Sequence, residues 1–482
     1  MYRRTRWQRL CATSGAVTLA ATLAACSSGG DTSSGQVSGS GGGDAETSSF
    51  APTPENKTAY ASYVGALKGK YSGKTLRIIG VKDPWLPAFT KSIAEFKAIT
   101  GAEVTFENYA YDDTYSKEIL LGQQKSAAAD VIMFDIPWVG KFAQTGLVEP
   151  LDDRIAKADK NLIMYDDFYK VMSSAAKWDG KTIGVPFAPY FIMQLTNKDV
   201  LAQAGVTPPK TIDEFQQACQ TIKAKTGVAG TAINNQTGTA VGQAYFEWIY
   251  NMGGRPFASE HPDSGDGKYY TDMTPKFSSP ESKATVKMFK DLLTCEPPGA
   301  KNIAWQERYS AFATGQAAMI SPWNYDIPPL DDTTQSAVSG KYDVQPVPVK
   351  SGVKLNTPVG GWMMGVNANS QQKDMAWDFT LWFSTPAVNG AFMNNGGFAA
   401  RYSVSKNAKL VQKYPWLKVQ QGVVDTAFPA FRPQVPEAFE IMKKLGDNIG
   451  SYLAGQADLD TAMGNADSQL GTLLKNAGYT VH

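Results

Sequence analysis

The sequence predicts an α/β fold, and two observations carry that expectation. Between residues 75 and 134, apolar strand-like runs alternate with stretches of helical periodicity in the order β-α-β-α-β, which calls for a parallel or mixed sheet covered by helices. The length, 482 residues, is enough for at least two folding units, each with a sizeable core.

Thr75 to Val81 reads as the first strand, and Phe89, Ile93, Phe96 and Ile99 then recur at helical spacing up to Thr100-Gly101. A second strand, Glu103 to Glu107, follows at once. A helical stretch from Asp112 to Gln124 leads into the apolar strand Asp130 to Phe134. Thr211 and Glu214 have the spacing of a capping box and open a helix carrying Cys219, while a helix from Ser279 to Leu293 brings Cys295 to its end. Trp305 to Ala313 is helical and Ala317 to Ile320 is a short strand. Glu437 to Leu453 and Leu459 to Leu474 are amphipathic helices.

In open sheets of this kind the ligand crevice lies beyond the carboxyl ends of the strands. The loops there are Lys82-Asp83-Pro84-Trp85 and Asp135-Ile136-Pro137-Trp138. Either pair alone reads equally well as an N-cap aspartate and a core tryptophan. Their recurrence at equivalent positions marks Asp83, Trp85, Asp135 and Trp138 as site candidates.

Composition narrows the function. Lys plus Arg (46) nearly balances Asp plus Glu (45), so the basic excess that nucleic-acid binding requires is missing and no nucleic-acid partner is expected. The two histidines, His261 and His482, lie in a Pro/Asp/Gly-rich loop and at the last residue, which disfavours a histidine triad or a multi-histidine metal site. Against them stand 11 Trp. Few acid/base groups and many flat apolar faces point to a binder, with no catalytic residues, metal or cofactor, although carboxylate-pair catalysis needs no histidine.

The amino terminus is an address. Arg3, Arg4, Arg6 and Arg9 precede a short apolar run from Cys11 to Ala25, too short to span a bilayer and typical of a secretory signal over residues 1–25. The run ends in Leu23-Ala24-Ala25-Cys26, and from Ser27 to Ser49, 15 of 23 residues are Ser or Gly, so residues 26–55 are expected to be a flexible spacer. Loss of the four arginines leaves a mildly acidic mature body. Once Cys11 is removed with the signal and Cys26 is set aside, Cys219 and Cys295 remain; they either pair as a disulfide, as exported proteins favour, or pack as two buried thiols.

Leu23-Ala24-Ala25-Cys26 resembles the lipobox of bacterial lipoproteins, which implies that Cys26 becomes a lipidated mature amino terminus on the extracytoplasmic face of the membrane. The body resembles the extracellular solute-binding proteins of ABC importers, in particular the maltose-binding-like, carbohydrate-binding group. The segments that carry this are Ala129 to Leu151, Asn197 to Phe215, Phe312 to Trp323, Gly360-Gly361-Trp362 and Arg432-Pro433. The resemblance implies a two-lobe periplasmic-binding-protein fold of type II with three crossings, lobe 1 being residues 56–189 and 347–395 and lobe 2 residues 190–346 and 396–482. It also implies a monomer that closes on a sugar or polyol and delivers it to permease subunits.

Sugar rings offer apolar C–H faces to aromatic rings and hydroxyls to hydrogen-bonding side chains. On that basis Trp323 and Trp362 join Trp85 and Trp138 as stacking candidates, and Asn324 and Arg401 join Asp83 and Asp135 as hydroxyl anchors. Tyr190 and Asn235 are further candidates on cleft-facing loops, whereas Trp377 and Trp382 read as core. The competing expectation is a secreted glycoside-acting enzyme using Asp83 and Asp135 as its carboxylate pair.

Overall fold

The computed structural model describes residues 46–261 and 266–482. The signal, Cys26 and most of the spacer lie outside the described residues. The end of the expected spacer is not free chain: Phe50 is buried against Gly390, and a helix, Pro54–Leu67, opens with Thr53 as its N-cap and Pro54 in its first turn. One buried phenyl ring and a capped helix start are enough to order these residues.

The first sheet contains β1 (Thr75–Val81), β2 (Glu103–Tyr109), β3 (Val131–Asp135), β4 (Val185–Phe191) and, late in the chain, β8 (Val359–Val366). Its order is β2-β1-β3-β8-β4. β1 pairs in parallel with β2 and β3, while β8 runs antiparallel to β3 and β4. The carboxyl ends of four strands and the start of β8 therefore share one edge. β3, β4 and β8 are buried along their whole length, as expected of strands covered on both faces. The helix Lys373–Ser384 packs on β4 and β8, while Tyr111–Gln123 packs on β1 and β2 and Leu86–Thr100 on β2.

Two residues beyond β4 the chain enters a second sheet of β5 (Gln194–Asn197), β6 (Met319–Ile320) and β7 (Tyr342–Gln345), in the order β6-β5-β7 and wholly antiparallel. The helices Ile212–Thr226, Thr239–Ile249, Pro280–Leu292, Ala438–Ala454 and Leu459–Asn476 belong to this second half. The capping box at Thr211 is formed, with Glu214 bonding back to the Thr211 N–H. Two helices there approach unusually closely. A Cβ on Gly242 would meet the Met442 carbonyl at 1.9 Å, and one on Gly446 the Gly238 carbonyl at 1.7 Å, so only glycine allows this packing. Trp377 and Trp382 are core residues, as read from sequence.

Cys219 and Cys295 are joined, Cα to Cα 5.8 Å, across a sequence separation of 76. Next to the bridge, Glu296 accepts from the Ile233 N–H and the Asn235 amide, each at 2.7 Å. The bridge thus anchors the segment that runs from Gly230 toward Gln236. Closing a loop of this length should stabilise the fold by about 4 kcal/mol in the chain-entropy account. Urea unfolding of the Cys219→Ser/Cys295→Ser double variant is expected to show that loss; a loss under about 1 kcal/mol would mean that the bridge constrains little.

Candidate functional site

Where the shared strand edge meets the second half of the molecule there is a cavity of about 600 Å³. The first sheet contributes Asp83 after β1, Tyr111 and Asp112 after β2, Asp135 at the end of β3, Tyr190 near the end of β4, and Gly360 to Trp362 from the start of β8. The other side contributes Gln236 to Ala240 at the start of a helix, Gln243, Trp305, Trp323, Tyr325, Arg432, Met442, Lys443 and Asp447. The cavity therefore lies where the crevice rule expects one.

Asp135 is the most heavily bonded group in the wall. It accepts from its neighbour's backbone N–H (Ile136, 2.8 Å), from the Tyr111 hydroxyl (2.8 Å), from the Gly361 N–H (3.2 Å) and from Arg432 Nη2, 3.1 Å from the second oxygen. Gly361 has φ +133°, and a Cβ there would lie 2.4 Å from the Ala188 carbonyl, so the close approach of its N–H requires glycine. Asp83 differs. It accepts from the Tyr190 hydroxyl, which in turn accepts from the Trp85 indole, and the Trp362 and Trp85 indoles favour its charged form. Burial raises its carboxyl to about 6, against the lowering effect of those bonds. Burial, reinforced by the neighbouring aspartates, also lifts the Tyr111 and Tyr190 phenols well above their usual value, so both stay protonated donors.

Of the ten residues expected from sequence, Asp83, Asp135, Tyr190, Trp323 and Trp362 line the cavity. Trp85, Trp138, Asn235, Asn324 and Arg401 do not, and each has another task. Trp85 lies in a cluster with Phe89 and Phe187, both at 5.5 Å, and donates its indole N–H to the Tyr190 hydroxyl at 2.7 Å. Trp138 packs against Tyr111 at 4.8 Å and Trp362 at 5.4 Å. Both tryptophans stand behind the residues that face the cavity. Asn235 is bonded to Glu296, and Asn324 accepts from the Phe191 N–H and donates to Gln420.

Arg401 is the clearest correction. Its guanidinium is fully buried, donating to the carbonyls of Ser384 (2.7 Å), Met164 (2.9 Å) and Ile163 (2.8 Å) and lying 3.7 Å over the Phe168 ring. It ties three chain segments together and is buried away from the cavity.

Sequence reasoning passed over Tyr111, Trp305, Tyr325, Arg432 and the Gln236–Gln243 segment. Tyr111 follows β2 as Asp83 follows β1, so the crevice rule applied to every strand end would have found it. Tyr325 sits two residues beyond Trp323. Arg432 carried no local signal of its partner.

The fold matches solved periplasmic binding proteins of the maltose-binding-like type. An ABC transporter solute-binding protein of Agrobacterium radiobacter in complex with ribitol aligns over 83% of this chain and 99% of its own, with 29% identity and a TM-score of 0.75. Maltose-bound MalE3 of T. maritima aligns over 83% and 100%, with 22% identity and a TM-score of 0.72. Residues 82–390 match the bacterial extracellular solute-binding protein family, and the chain belongs to that family. It is 26% identical over 430 residues, 86% of this chain and 92% of the other, to a probable amino-acid ABC transporter periplasmic-binding protein of Sinorhizobium fredii. It is also 25% identical over 328 residues, 65% of this chain and 63% of the other, to a maltotriose-binding protein of Pyrococcus abyssi.

The buried carboxyls carry a pH signature. Burial holds Asp83 at about 6, Glu260 and Asp326 at about 7 and Glu296 at about 8, with Glu118, neither oxygen of which is paired, well above its usual value. In the unfolded chain these groups lose their protons near pH 4. From there to about pH 8 the folded state holds more protons than the unfolded one, so stability falls as pH rises. The carboxyls held low by turn and cap bonds, Glu214, Asp272, Asp332 and Asp458, titrate below this window. The ligand-free protein should therefore melt higher at about pH 5.5 than at about pH 8, and Asp83→Asn should raise the melting temperature more at the higher pH. A flat or opposite trend would contradict the burial of these groups.

Proposed function

We propose that the protein captures a sugar or polyol in this cleft and hands it unchanged to the permease of an ABC importer. The observation that carries this is the composition of the wall: Tyr111, Tyr190, Trp305, Trp323, Tyr325 and Trp362 present ring surface, while Asp83, Gln243 and Arg432 stand between them as hydrogen-bonding groups. Flat apolar faces with a few fixed polar anchors suit a polyhydroxylated ligand. The ribitol complex of the Agrobacterium radiobacter protein and the maltotriose-binding relative support the same ligand class.

The Sinorhizobium fredii relative, a probable amino-acid transporter binding protein, raises a second ligand class, amino acids. The wall disfavours it, because the guanidinium that would meet a ligand carboxylate is already neutralised by Asp135 at 3.1 Å. An enzyme using Asp83 and Asp135 as acid and base is disfavoured for a related reason. Asp135 is held by four donors and has little capacity left for a substrate proton.

The two sheets are the centres of the two lobes in this proposal, with the lobe divisions as given above except at the last crossing. Arg401 bonds to residues 163, 164 and 384, and Tyr169 to residue 400. These contacts support assigning residues 397–424 to lobe 1, with the third crossing near residues 427–432 in place of Gly396–Phe398. A lipid on Cys26 and the Gly/Ser spacer would hold a monomeric body at the outer face of the membrane.

A thermal-shift screen of monosaccharides, oligosaccharides, polyols and amino acids tests the proposal. A ligand present at about 100 times its dissociation constant should add about 2.7 kcal/mol of stability. A shift by amino acids alone, with none from any sugar or polyol, would overturn the ligand class. Trp323→Ala should weaken binding of the ligand so found by at least about 1 kcal/mol while the variant stays folded; unchanged affinity would make Trp323 a packing residue.

A further inference from the structure

The two strand-end aspartates differ in how their charge is answered. Asp135 faces Arg432. Asp83 accepts from the Tyr190 phenol and forms no ion pair among the described residues. The wall beside it deepens the imbalance. Tyr325, its ring 4.7 Å from that of Tyr190, feels Asp326, Asp83 and Glu247 against the single guanidinium of Arg308, which pairs with Glu247 at 3.4 Å. At this end of the cleft the lining carboxyl is Asp83, beside the rings of Tyr190, Trp323, Tyr325 and Trp362.

A carboxylate withdrawn from water and walled by ring faces is a setting that favours a cation, through direct ion pairing and through the negative faces of the rings. The other end of the cavity differs. Arg432 is 4% exposed and lines the cavity with its Nε buried and unpaired. Since Asp135 has neutralised its charge, that N–H suits a neutral acceptor such as a hydroxyl oxygen. We infer that the ligand is an amino sugar or amino polyol, its protonated nitrogen seated between Asp83 and the surrounding rings and its hydroxyls toward Arg432. The inference rests on the sugar or polyol function proposed above. The burial-driven rise of the Asp83 carboxyl in the empty cleft agrees with it, because a bound ammonium would supply the missing counter-charge.

Calorimetry on the full mature protein near neutral pH with matched pairs tests this: glucose against glucosamine, and sorbitol against 1-amino-1-deoxysorbitol, with glycine and serine as amino-acid probes. The amino member of at least one pair is expected to bind about tenfold or more tightly than its hydroxyl partner, since charge-assisted bonds are about twice as strong as neutral ones. Asp83→Asn is expected to bring that ratio to parity. If hydroxyl members bind and the amino members bind no tighter, the amine assignment falls and the sugar or polyol function stands. If neither member of any pair binds, the amine assignment falls, and if the amino acids bind in their place the sugar or polyol function falls with it.

Discussion

The Asp135 carboxylate is the constraint on which the site depends. A buried charge must be answered by donors or lost to protonation, and here the donors come from four parts of the chain: the turn after β3, the helix after β2, the start of β8, and a residue 297 positions away, Arg432. Each donor fixes a piece of the cavity wall. Tyr111 is turned by its bond, the backbone at Gly361 is drawn close enough that no side chain fits, and Arg432 is set over Trp323 at 5.7 Å. Removing either charge would leave the other buried without a partner, which typically costs about 3–5 kcal/mol.

Around this centre the wall is built in two layers. Trp85 and Trp138 never face the cavity, yet the first bonds Tyr190 and the second packs on Tyr111 and Trp362. Side chains held from behind lose less freedom when a ligand arrives, so more of the contact energy appears as affinity. The opposite wall is held by different means. The disulfide, Glu296 and Asn235 hold the approach to Gln236, and the close-packed glycines 242 and 446 seat the helix that begins beside it.

Much of the first sheet was legible because its signals are local. Strand β1 has the bounds read from its apolar run, and the helix at Thr211 starts where its capping box does. The loops after β1 and β3 read as the crevice, and their aspartates Asp83 and Asp135 line the cavity. What was not legible is direction and distance. The same pattern that marked Asp83 also marked Trp85, but Trp85 turns inward onto Phe89 and Phe187. Arg401 looked like an anchor because its neighbours resembled a family segment; the three carbonyls that occupy it converge from residues 163, 164 and 384. Arg432 was noticed as part of a motif, while its partner lay too far along the chain for any periodicity to indicate.

The Asp135–Arg432 pair joins the two walls of the cleft, and ligand binding is expected to use this junction. A double-mutant cycle on ligand affinity, with Asp135→Asn, Arg432→Gln and the combination measured by calorimetry, tests it most directly. A coupling energy of at least about 1.5 kcal/mol is expected, as found for close charge pairs across interfaces. Additive losses, with coupling indistinguishable from zero, would show that the two residues act independently and that the cleft does not depend on their pairing.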